Sequence, residues 1–91
     1  MTTDTPARLV AKSWGRQLRT ARRAKFATQE AFAAALQRDQ SWLSRYERGE
    51  ATWTPEVMLL FAATLDRPVA ELFAWPYGVE LMEQYRLGIA A

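Results

Sequence analysis

Residues 28–49 read TQEAFAAALQRDQSWLSRYERG, and the rest of the chain is organised around them. Thr28 carries a hydroxyl suited to capping a helix from Gln29 to Leu36, in which Phe32, Ala33 and Leu36 form a narrow apolar stripe. Asp39 is the next cap candidate, so only Gln37, Arg38 and Asp39 remain for the turn. That brevity predicts a steep angle between two short helices. The second helix, from about Gln40 to Arg48, has two faces. Leu43, Tyr46 and Glu47 lie on one side, while Gln40, Ser41, Ser44, Arg45 and Arg48 lie on the other. The first face can pack into a domain. The second is a row of hydrogen-bonding groups with two guanidiniums and no carboxylate, the chemistry needed to read base edges and grip phosphates in a major groove.

Length and composition narrow what such a helix can belong to. Ninety-one residues make one domain, because two would leave neither with enough buried surface. A chain that is 49% hydrophobic and 24% charged has the balance of a globular protein and not of a disordered one. There is no cysteine and no histidine, which removes disulfides, thiolate metal sites, the commonest zinc ligand and the commonest general base. Together with the lack of any nucleophile-and-base set or phosphate loop, this argues against an enzyme and against a cofactor or metal. The amino terminus, MTTDTPARLV, has no signal-peptide pattern, and no apolar run approaches the roughly 20 residues that span a bilayer. The expectation is a soluble cytoplasmic protein without a membrane partner.

Charge is distributed unevenly. Through Arg48 there are ten basic residues against four acidic ones, a balance of +6, and from Gly49 onward two against six, a balance of −4. One half attracts a polyanion and the other repels it, which would orient the domain on DNA. The alternative is that arginines on an exposed helix only solvate it.

Around the central stretch, the pattern predicts an all-α chain. Leu9 or Val10, Trp14, Leu18 and Ala21 or Arg22 mark an amphipathic first helix from about Ala7 to Ala24, with Pro6 available as an early helix position. Gly49 suits a helix C-cap. Thr54-Pro55-Glu56 is a strong start for a helix from Pro55 to Leu65, which is apolar nearly all round and so is expected at the centre of the core. Pro68 to Phe73 makes a short fifth helix. Beyond a turn at Trp75-Pro76-Tyr77-Gly78, Val79 to Leu87 is expected to be one more helix, either folded back over the core or paired with a second copy. The needs of DNA binding favour pairing. The expected organisation is a single domain, residues 1–91, with a core at 7–73 and an extension at 74–91 that is a possible dimerisation helix.

This order of residues resembles the Cro and phage-repressor helix-turn-helix family, the xenobiotic response element type, over roughly Gly15 to Phe73. The carrying residues are Leu18-Arg19 and Arg22; Thr28-Gln29-Glu30 with Ala33 and Leu36; Leu43 to Gly49 (LSRYERG); then Leu59, Ala62, Leu65 and Glu71-Leu72. The resemblance implies a lambda-repressor-like bundle of five helices, here with an extra C-terminal helix, in which Gln40, Ser41, Ser44 and Arg45 face the major groove. It also implies that Gln29 donates to a backbone phosphate, and that Arg22 pairs with Glu47. Glu47 is thus an architectural strut and not a reader of cytosine, since breaking a buried pair leaves a costly lone charge. Arg22, Arg38, Arg48 and Trp42 join Gln29 as expected phosphate contacts.

The sequence departs from the family at Phe26-Ala27, at Gln37-Arg38 and at Trp53. Phe26 stands where glycine is usual, and only Ala27 follows it where a larger aliphatic residue is usual. Phe26 is therefore expected to fill the missing volume. In the helix-turn-helix turn, Gln37 replaces glycine and Arg38 replaces a valine-like residue. A non-glycine residue in a left-handed conformation costs roughly 1 kcal/mol, and Arg38 must reach solvent or phosphate. Trp42 borders the polar face, against sugar, a thymine methyl or the preceding helix. Trp53, in the connector where proline is frequent, is expected near the DNA backbone or as a plug at a dimer contact.

The function these readings imply is a sequence-specific transcriptional regulator, a repressor that binds double-stranded DNA as a homodimer at a palindromic operator. The alternative is an antitoxin or co-regulator whose residues 74–91 bind a partner protein.

Overall fold

Five helices and no strand make up the residues described by the computed structural model, 4–75: α1 (Pro6–Lys25), α2 (Gln29–Leu36), α3 (Gln40–Glu47), α4 (Pro55–Leu65) and α5 (Val69–Leu72). The expected helix Val79 to Leu87 lies outside the described residues. None of the described helices is long and apolar enough to cross a membrane.

The helix starts follow local chemistry. The hydroxyls of Thr5, Thr28 and Thr54 accept hydrogen bonds from the N–H groups of Arg8, Ala31 and Val57 at 3.2, 3.1 and 3.3 Å. Pro6 and Pro55 each occupy a first turn, where a missing N–H costs nothing. Thr5 thereby extends α1 one residue beyond the expected Ala7 start. Asp39 takes a cap conformation, but its side chain makes no cap hydrogen bond.

Three helices end in one way, with a left-handed residue followed by a hydrogen bond back across the last turn. At the end of α2, Gln37 has φ 58° and the Arg38 N–H donates to the Ala33 carbonyl at 2.9 Å. After α3, Gly49 has φ 73° and the Glu50 N–H reaches the Arg45 carbonyl at 2.8 Å. After α4, Asp66 has φ 55° and the Arg67 N–H reaches the Ala62 carbonyl at 3.0 Å. Gln37 thus does occupy the left-handed position that family glycine would fill.

Leu18, Phe32, Leu43 and Phe61 are fully enclosed, one each from α1 to α4. Phe61 is the centre of an aromatic cluster, with Phe32, Trp42, Tyr46 and Trp53 at ring-centroid distances of 5.4 to 5.9 Å. Phe26 is partly buried and packs on Phe32 at 5.0 Å, so it does fill the volume left by Ala27. Its backbone is extended, with φ −123°, so no glycine is needed there.

Two expectations are corrected. Helix α4 is not buried all round: Phe61, Ala62 and Leu65 face the core, while Leu59 is 60% exposed. Its apolar composition overstated its coverage: α1, α2 and α5 pack on it, and the Trp42 and Tyr46 rings of α3 meet Phe61, yet Leu59 is left exposed. Trp53 lies neither on an outer DNA-facing path nor on an exposed plug. It packs among Tyr46, Phe61, Phe73 and Trp14, because the connector turns inward after Gly49 and carries the indole with it.

Candidate nucleic-acid interface

The angle of α3 is set where it crosses α1. A Cβ on Gly15 would stand 2.5 Å from the Tyr46 carbonyl oxygen and 2.6 Å from that of Glu47, so only glycine allows this approach. Gly49 is constrained twice, by its positive φ and by the Lys12 backbone 2.5 Å from where its Cβ would be.

Beside the crossing lies a buried ion pair. Arg22 Nε donates to Glu47 Oε2 at 2.7 Å and Arg22 Nη2 to Glu47 Oε1 at 3.3 Å, with side-chain exposures of 6% and 3%. The expected strut is present. Arg22 was also expected to grip phosphate, but in this arrangement its guanidinium is spent on Glu47 and is not presented to solvent.

From the pair, a chain of hydrogen bonds leads to the outer face of α3. Gln29 Nε2 donates to Glu47 Oε1 at 3.1 Å, and Gln40 Nε2 donates to Gln29 Oε1 at 3.2 Å. The direction is chemically fixed. An ionised carboxylate only accepts, so Gln29 must turn its NH2 to Glu47 and its oxygen to Gln40. Gln40 is left with one N–H and its carbonyl oxygen facing outward. This linkage escaped the sequence reading. The signal was there in part, because Gln29 and Gln40 are the first residues of adjacent helices.

Gln40, Ser41 and Arg45 are exposed and Ser44 is half-buried, so the expected reading face is brought together on one side of α3. Arg48 donates through Nη1 to Ser44 Oγ and pairs with Glu50 at 2.9 Å, which ties two members of that face to each other. The Arg48 guanidinium holds the Glu50 carboxyl below its ordinary range.

In the turn, Arg38 is exposed and its guanidinium lies 5.3 Å from the centre of the Trp42 ring. The cation thus reaches solvent by stacking on an indole. Trp42 itself packs inward, on Tyr46 of its own helix at 4.7 Å and on Phe61 of α4 at 5.5 Å, where α2 had been the expected packing partner. Burial pushes the Tyr46 phenol up from its ordinary value, and its hydroxyl donates to the Thr52 carbonyl at 3.1 Å. No group of acidic residues among the described residues has metal-ligand spacing.

A short turn between two helices, with the second held outward by a buried strut, defines a helix-turn-helix. The family model for the helix-turn-helix domain matches residues 14–75, and the chain belongs to that family. Among solved structures it is similar to the restriction-modification controller protein C.AhdI from Aeromonas hydrophila, with 30% identity and a TM-score of 0.69. That similarity spans 76% of this chain and all of the other. Comparison with curated proteins found no match. The chain is a DNA-binding transcriptional regulator of the xenobiotic-response-element-like type.

Proposed function

We propose that this regulator is a repressor that binds a palindromic operator as a homodimer, with Gln40, Ser41, Ser44 and Arg45 reading bases. The observation that carries the reading is the Arg22–Glu47–Gln29–Gln40 chain, which delivers Gln40 to the surface with one donor and one acceptor free. Adenine offers the complement in the major groove, N7 as acceptor and N6–H as donor. Arg45, exposed and unpaired by any acid among the described residues, suits guanine or phosphate.

Gln29 has a second amide hydrogen for a backbone phosphate, beside the N-terminus of α2. Arg38 and Arg48 are exposed and serve the same end, Arg48 by exchanging Glu50 for phosphate. Arg22 acts as a positioning residue, and Trp42 as the platform that orients Arg38. Two copies related by a two-fold axis would place their α3 helices in successive major grooves about 34 Å apart.

A second reading, in which the chain's last residues bind a partner protein, is favoured by one observation. The family match ends at residue 75, so the segment that follows is outside the shared domain. The experiment that tests the first reading is a gel shift against the promoter of the protein's own gene, with a mass measurement of the complex. Two protomers per duplex and repression of a reporter support it; one protomer with an added protein supports the second.

A further inference from the structure

Most cations of this domain are answered at close range. Arg8 and Lys12 share Asp4, Arg22 has Glu47, Arg48 has Glu50 and Arg67 has Glu71. Lys25 donates to the Thr64 carbonyl at 3.0 Å, and Arg38 lies over Trp42. Arg16, Arg19, Arg23 and Arg45 differ. All four are exposed, and none has a salt bridge or a side-chain hydrogen bond among the described residues. Arg45 belongs to the reading face. The other three stand at i, i+3 and i+7 on α1, which puts them in one stripe.

The place of the stripe follows from its neighbours. Gly15 and Arg22 stand four before and three after Arg19, on the same side of α1. Both meet the last turn of α3, Gly15 at the Tyr46 and Glu47 carbonyls and Arg22 at the Glu47 carboxylate. Arg19 is therefore carried beside the end of the reading helix, and Arg16 and Arg23 continue the row outward from it. Like charges three and four residues apart repel in the free protein, and a bound polyanion relieves that repulsion.

We propose that Arg16, Arg19 and Arg23 form a second phosphate-binding surface, which grips the DNA backbone flanking the half-site that α3 reads. The proposal rests on the assignment of α3 as the reading helix. Guanidinium forks match phosphate oxygens in pairs, and the stripe lies on the helix that crosses the last turn of α3, so a single duplex reaching past the half-site can engage both.

The test measures binding against salt for the wild type and for an Arg16→Gln, Arg19→Gln, Arg23→Gln variant. The probes are a selected-site duplex with flanks of about one helical turn and the same site trimmed of its flanks. Each phosphate contact contributes about 0.9 to the slope of log affinity against log salt. On the flanked duplex the slope of the variant is expected to be shallower by about 2 to 3, so its affinity deficit shrinks roughly 40-fold between 50 and 200 mM salt. On the trimmed duplex the two proteins should converge, and base preference should be unchanged on both. The triple lysine variant should retain most of the slope, since the charges remain. An unchanged slope on the flanked duplex overturns the proposal, as does an equal change on both duplexes or a lysine variant no better than the glutamine one. A wild type that prefers no sequence at all would instead overturn the assignment of α3, which separates the two failures.

Discussion

The Arg22 guanidinium holds the Glu47 carboxylate through two hydrogen bonds, at 2.7 and 3.3 Å, across 25 residues of chain and almost out of reach of water. Removing one partner leaves the other buried and uncompensated. Arg22→Ala or Glu47→Ala is expected to cost about 3–5 kcal/mol in denaturant unfolding. Replacing both with leucine or methionine should recover most of that loss, yet leave Gln29 without its acceptor. A single variant as stable as the wild type contradicts the strut.

Gly15 is predicted to be intolerant of any side chain. With its Cβ 2.5 Å from a main-chain carbonyl, Gly15→Ala must push α3 away from α1. The expected loss is about 1–3 kcal/mol, with a larger effect on operator affinity than an equally destabilising change at Leu65, which is remote from the crossing. Equal effects on binding at matched stability would show that the crossing does not set the reading angle.

Gln37 holds φ 58° without the freedom of glycine. Gln37→Gly should raise stability by about 1 kcal/mol, read as a higher denaturant midpoint at unchanged slope. A fall in stability would mean that the Gln37 side chain contributes more than its backbone costs.

Tyr46 has a raised pKa because burial disfavours its phenolate. A raised folded value means stability that is fully present below the unfolded pKa, about 10, and lost as pH rises through the folded one. The wild type should therefore lose stability above about pH 10 by more than Tyr46→Phe does. Parallel pH profiles for the two proteins would rule this out.

Much of the fold is legible in the residues, for local reasons. Thr28, Thr54-Pro55 and Gly49 act through their own hydrogen bonds or backbone conformation, so each marks an element boundary without tertiary information. The polar face of α3, with Gln40, Ser41, Ser44, Arg45 and Arg48, follows from helical period alone, whereas the base-reading role of the first four is what the family resemblance implies. What periodicity lacks is knowledge of what covers a face. Leu59 looks as apolar as Phe61 but is left exposed by the described helices. Trp53 lies in a connector, where no period applies, and only the aromatic cluster shows its place. The Gln29–Gln40 bond depends on the angle between α2 and α3, which the residue types do not specify.

The most direct test of the account is a binding-site selection run in parallel on the wild type and Gln40→Ala. The outward donor and acceptor of Gln40 predict that the wild type prefers adenine at one position of each half-site. They also predict that the variant loses preference there and keeps it elsewhere. The same preference in both proteins would contradict the central claim that the strut delivers Gln40 to a base.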